Sequence, residues 1–423
     1  MRPATLFSPD NAVSSRVSGI AGAASLALLA YIGQLKANPI FDWSPVDLTI
    51  AVAALVMMLA IWSRVQHGPA HRTIAAPVLL MTVFLLGLIG SPFDGYASVK
   101  VLTLYTVTLV CFVAPFYLLR TGVQRRVFIY ALIAIGVIVS LVLFLWPENI
   151  QGSSAIQFPG TNTIGTARIV AAGAVAAVIV AVAARGRRRF LYVACAAILI
   201  PATLVTGNRA ALLALAVSLV VVLLAAPIFR KIRVRSIVAV SGALVIVAIW
   251  QIFSGTNGER LLRLFLGSAD SSVSARWYFW GESISHLQWA PWGIGWGAFP
   301  HILEVNSGAN LYPHNLLLEV FLEAGWIPGV MLLALVVWAV GRMLRGSNNM
   351  VSAALFGLLV FTVLNALISG DVNANRLMWM LLACGLMGIQ PLMVIDWLKT
   401  LVRRIRARRG NTDAPIAIPR RKF

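Results

Sequence analysis

The sequence predicts an all-α fold: a polytopic membrane protein of about twelve transmembrane helices, with one long connection between the ninth and tenth. Three observations carry that prediction. Hydrophobic residues make up 60% of the 423 positions and charged residues 11%, with a mean hydropathy of +0.87, whereas a soluble domain carries about 25% charged residues. So apolar a chain has too little polar surface to cover itself in water, and lipid must be its main solvent. The apolar residues also fall in stretches long enough to cross a hydrocarbon core, and the basic residues gather in alternate connections.

Spans are expected near 17–35, 46–63, 74–91, 97–119, 127–146, 164–184, 190–206, 210–228, 235–253, 315–341, 351–369 and 376–396. Each reaches the minimum of roughly 17 residues that a crossing needs. The first should remain uncleaved, because Met1 to Arg16 is polar and no convincing small-residue cleavage site follows the first apolar stretch. The stretches 190–206 and 210–228 are parted only by Thr206 to Arg209. A single crossing of their joint length would overshoot the bilayer, so two are expected. Residues 1–396 then form one transmembrane domain that includes the loop 254–314, and 397–423 form a basic tail.

Charge placement sets the orientation. With a cytoplasmic N-terminus, 26 of the 34 Lys and Arg residues lie on the inner side and eight on the outer, while eleven of the 14 acidic residues lie outside. This is the positive-inside bias, and it predicts that both termini are cytoplasmic. It accounts for the net charge of +20 with no call for nucleic acid. The Arg-rich tail reads as a topology anchor and a contact for anionic lipid.

Few residues are left to carry chemistry, and those near the outer face stand out because charge at a membrane is costly. Cys111, Cys195 and Cys384 lie in apolar runs and form neither a disulfide framework nor a metal pair. Arg209 stands in the short turn Thr206-Gly-Asn-Arg209. There it can snorkel to a lipid headgroup or hold a phosphate in its planar fork. In the loop, Ser271 to Gln288 reads as an amphipathic helix that carries Arg276, with Trp277, Trp280 and Ile284 on one face. Together with Trp289, Trp292 and Trp296 these tryptophans suit either an interfacial belt or a platform for sugar rings. Pro291 to Phe299 is a Gly-rich turn, and no strand precedes it to make a dinucleotide loop. His314 opens the tenth span. It can cap the helix there, or take a proton from an acceptor hydroxyl. Glu319 and Glu323, on the same helix face, could orient His314 or bind an arginine. The other histidines do not assemble a metal site.

Taken in order, these residues resemble the O-antigen ligase and polymerase superfamily. Phe158-Pro-Gly-Thr-Asn-Thr-Ile-Gly165, followed by Arg168, is similar to the family's Gly/Asn-rich segment. Thr206 to Arg209 resembles its Thr-Gly-Ser-Arg turn, with Asn208 in place of Ser, and Arg209 to Leu213 gives R-x3-L. Ser274-Ala-Arg-Trp277 looks like its Ser-Gly-Arg segment, with Ala275 in place of Gly. His314, Asn315, Leu318 and Gly325 fit H-N-x2-L-x6-G in full.

The resemblance implies a metal-independent, inverting glycosyltransferase of the membrane (C-like) type in the bacterial inner membrane, needing no cofactor and acting on the periplasmic face. Its donor would be an undecaprenyl-diphosphate-linked glycan, and its acceptor lipid A–core (ligase) or another lipid-linked glycan (polymerase). His314 would be the base, and Arg168, Arg209 and Arg276 would bind substrate. Polymerases of this type often carry R-x10-G, a pattern that no outer arginine shows, so the ligase is favoured. A transporter or flippase is the non-enzymatic rival, but it should show repeated halves, and the sequence has no such symmetry.

Overall fold

The computed structural model describes residues 9–69, 72–149, 155–230, 271–287, 292–303 and 311–387. The predicted ninth span (235–253), the end of the twelfth and the basic tail lie outside the described residues.

The architecture is all-α apart from a two-residue antiparallel ribbon that pairs Glu148 with Gln157 and Asn149 with Ile156. The helices are α1 (Pro9–Leu35), α2 (Leu48–His67), α3 (Ala75–Leu88), α4 (Gly95–Leu118), α5 (Gly122–Leu145), α6 (Thr163–Ala183), α7 (Arg187–Val205), α8 (Arg209–Ala225), α9 (Ser271–His286), α10 (Trp326–Gly346), α11 (Met350–Ala366) and α12 (Arg376–Leu386). Among the described residues seven are long and apolar enough to cross a membrane: α1, α2, α4, α5, α6, α7 and α10. Helices α3, α8, α11 and α12 are apolar but shorter.

Composition decides where each helix sits. Helix α6 is built largely from Ala, Val and Gly, and it is buried along most of its length from Gly165 to Ala181. Small residues let neighbouring backbones come close where lipid offers no hydrophobic drive to associate. Gly136 of α5 and Gly173 of α6 meet this way: a Cβ on Gly136 would lie 3.3 Å from the Gly173 Cα. Helix α2 is the opposite case. It leaves Ile50, Met58, Ile61 and Trp62 exposed, an apolar face suited to lipid.

Helix ends explain the boundaries. The division between α7 and α8 falls where two crossings required it. Gly207 turns through φ +65°, and Asn208 caps α8 by accepting from the Ala211 N–H at 3.0 Å. The predicted tenth span is not one continuous helix. Leu316–Glu319 passes into a π turn over Val320–Ala324, and Gly325, at φ +106°, separates this from α10. A second π turn interrupts α4 at Leu104–Thr108.

Candidate functional site

The C-terminal ends of α1 and α11 meet the N-terminal ends of α4, α6 and α12. These are the ends that the charge bias assigns to the non-cytoplasmic side. His314 lies with them, just before Leu316. Its backbone is left-handed, at φ +56°, a conformation uncommon for residues with a Cβ. Such strain persists only where the surroundings enforce it. Here they are aromatic: the imidazole stacks on Phe279 of α9 at 5.9 Å and 13°, and lies 4.3 Å from the Tyr312 ring. Phe279 in turn meets Phe299 edge-on at 5.8 Å. Capping falls to the next residue, since Asn315 accepts from the Leu318 N–H at 3.2 Å. The Nδ1 of His314 is buried without a hydrogen-bond partner among the described residues. Burial, and then the positive charges of Arg276 and Arg168, push the imidazole down to about 4. It is therefore neutral at pH 7. Burial and the negative charge of Asp371 push the Tyr312 hydroxyl up to about 12.

Arg168 borders a cavity of about 50 Å³ among the same helix ends. Its polar lining is Tyr31 and Gln34 from α1, Arg168 from α6, Thr362 and Asn365 from α11, and Asn375 before α12. Among the described residues no carboxylate lines it. Arg168 donates through Nη2 to the Ser369 carbonyl, while its Nε and the Tyr31 hydroxyl are buried without partners among the described residues. A water needs about 10–15 Å³ measured this way, so the space suits one phosphoryl-sized group, and its spare donors suit an anion.

Of the four residues singled out from sequence, Arg276 and Arg168 both act electrostatically on His314. Arg209 occupies the first position of α8, half-buried behind the Asn208 cap. The five tryptophans separate. Trp277 and Trp292 are exposed, while Trp280 is half-buried and meets Trp277 edge-on at 5.2 Å. Trp289 lies outside the described residues. Trp296 can serve neither as belt nor as platform, because it is fully buried and donates from Nε1 to the Phe84 carbonyl at 2.9 Å.

The reason lies in the Gly-rich turn, which is inserted among the helices and hydrogen-bonded like an added strand. Ile294 N donates to Leu322 O (2.9 Å), Gly295 N to Glu323 O (3.0 Å) and Trp296 N to Gly87 O (2.8 Å). Gly295 has φ +104°, and a Cβ there would sit 2.0 Å from the Gly90 carbonyl carbon. Only glycine fits.

Glu319 and Glu323 correct another expectation, for among the described residues they engage neither His314 nor an arginine. Both close on Lys100 of α4, at 2.7 and 2.5 Å, with all three side chains almost wholly buried. Glu323 also accepts from the Gly297 N–H at 3.0 Å. Sequence reasoning passed over Lys100; its one signal was a lysine early in an apolar helix. The imidazole of His301 lies 3.0 Å from Asp94. The carboxyl of Asp94 is held below the usual range, first by the Ala97 N–H and then by His301. Among the described residues no group of three His, Cys, Asp or Glu side chains could hold a metal ion.

Fold and site together define a polytopic all-α membrane protein with a cationic, partly enclosed site at one set of helix ends. Residues 194–334 match the O-antigen ligase family model, so this third of the chain is similar to that family. The match takes in Arg209, Arg276, His314, Glu319 and Glu323, and leaves out Lys100, Arg168 and the cavity's other walls. A comparison with curated proteins returns no match. The family and the apolar helices support a bacterial membrane enzyme of the O-antigen ligase or polymerase type, glycosyltransferase-like, working on lipid-linked glycan.

Proposed function

We propose that the protein is an O-antigen ligase. It would transfer a glycan from undecaprenyl diphosphate to lipid A–core at the periplasmic face of the inner membrane, with both termini cytoplasmic, by a metal-independent, inverting reaction. The observation that supports this reading is the left-handed, ring-stacked His314, kept neutral by burial and by the positive charges of Arg276 and Arg168. The acceptor oxygen attacks the anomeric carbon, the carbon–oxygen bond to the diphosphate breaks, and the acceptor proton passes to the imidazole. Undecaprenyl diphosphate departs with the bonding electrons, and the guanidiniums receive its charge.

An imidazole with a pKa near 4 is a weak base. A bound diphosphate would neutralise the arginines that depress it and bring it nearer the pH at which a base works best. The Arg168 cavity offers room for one phosphoryl group. Arg209 and Arg276 are assigned to the same donor, Arg209 from the neighbouring α8 turn.

The test is a reconstituted assay that offers the purified protein a polyprenyl-diphosphate glycan, with or without lipid A–core. A ligase transfers only when lipid A–core is present; chain growth in its absence would make the protein a polymerase that joins lipid-linked repeats. His314→Ala should lower turnover by about 10²–10⁴-fold with donor binding retained, and His314→Gln should be nearly as poor. Transfer near the wild-type rate by His314→Asn would reduce His314 to a structural role.

A further inference from the structure

Lys100 is tied to both halves of the site through different atoms. Its Nζ reaches Glu319 and Glu323 at 2.7 and 2.5 Å, on the turns directly after His314. Through Glu323 it also holds the Gly297 N–H, two residues before Phe299, whose ring leads by way of Phe279 to the imidazole. Its backbone carbonyl accepts from Asn373 Nδ2 at 2.9 Å. Asn373 accepts in turn from Thr108 at 2.7 Å, and it lies in the loop whose Ser369 carbonyl holds Arg168.

We infer that Lys100 is a positioning residue that fixes the distance between the His314 arm and the Arg168 arm of the site. The inference rests on the proposed glycan transfer, but the spacing it describes can be measured without that reaction. A single buried ion pair is weak evidence for stability, and exchange for neutral groups of similar volume is often tolerated. Balancing a buried carboxylate needs only a charge. The geometry supplies more than that: the same residue reaches one arm with its side chain and the other with its main chain. Removing the amine alone would strand two buried carboxylates, so Lys100→Met is expected not to fold and decides nothing by itself.

The decisive variant is the charge-neutral triple Lys100→Met, Glu319→Gln, Glu323→Gln, with Asn373→Ala as a milder second arm. Spin labels at Tyr278→Cys and Ala374→Cys, both exposed positions, report the spacing once Cys111, Cys195 and Cys384 are replaced by alanine. The triple variant is expected to keep its thermal midpoint, to broaden the inter-label distance distribution, and to lose at least about tenfold in kcat. Asn373→Ala should shift that distance and raise KM for donor several-fold with kcat little changed. A triple variant with wild-type distance and turnover would overturn the inference and leave Lys100 a charge balance. So would Asn373→Ala with distance and KM unchanged, even if the triple fails to fold. If the wild-type protein transfers no glycan, the proposed reaction fails, while the label distances still decide the positioning role.

Discussion

The His314 arm and the Arg168 arm meet at the same helix ends but are built on opposite terms. Around His314 the shell is filled with stacked rings, a glycine turn hydrogen-bonded into the helices, and a lysine shared by two carboxylates, and the imidazole Nδ1 is left without a partner among the described residues. Around Arg168 groups are left spare, with an unpartnered Nε, an unpartnered tyrosine hydroxyl and a cavity between them. Filled space holds a group in place, whereas open space with idle donors receives one. The first arm is accordingly suited to orienting a reacting group and the second to taking up charge.

The sharpest way to break this contrast is Gly295→Ala. A Cβ at that position collides with the α3–α4 backbone, and it would cost more than about 4 kcal/mol, the range reserved for gross packing faults. The expected result is loss of the folded protein by size-exclusion chromatography, and a folded Gly295→Ala protein would show that the turn is looser than its contacts imply.

On the open arm the effect should be smaller and kinetic. Arg168→Ala should raise KM for the donor by about 10–100-fold, as expected when a hydrogen bond of about 1.5–3 kcal/mol to a charged group is lost, and Lys should rescue poorly because it cannot form a fork. Tyr31→Phe removes one hydroxyl and should change KM only a few-fold. If either variant lowered kcat at constant KM, the division of labour between the arms would be wrong.

The mildest test is pH. Because burial and two arginines hold His314 near 4, its proton is lost well below the usual imidazole range. The acid limb of kcat/KM, which reports the free enzyme, should thus lie near 4, leaving the rate flat between pH 5 and about 6.5. The acid limb of kcat should lie higher, since bound diphosphate offsets the arginines. A kcat/KM limb near 6.5 would mean that His314 is solvated and ordinary.

Much of the helical frame was legible because hydropathy reports length and lipid contact directly. The boundary at Thr206–Arg209 was legible too, since a turn of so few residues needs glycine and a capping side chain. His314 and Arg168 could be picked out because each is a polar group at the edge of an apolar stretch. The partners could not. Lys100 and Glu323 stand 223 residues apart, and neither local pattern names the other. Trp296 looked interfacial because its turn lies in a polar loop; only the close approach of glycine backbones lets that turn enter the helices. The cavity is made by four helices, three of them far from Arg168 in sequence, so no motif announces it.

The shared lysine also has a consequence for biosynthesis. Lys100 leaves the ribosome long before its carboxylates exist, and at roughly 5–20 residues per second more than 200 residues take tens of seconds to follow. During that interval a bare ammonium must wait at the membrane, where a long flexible side chain can reach up to headgroup phosphate. A late step of assembly is then an exchange, in which Lys100 gives up lipid for Glu319 and Glu323 as the π turn arrives, before α10, α11 and α12 follow. Chains ending before residue 319 would remain at the headgroup stage, inserted but unlocked, and open to the cell's membrane proteases.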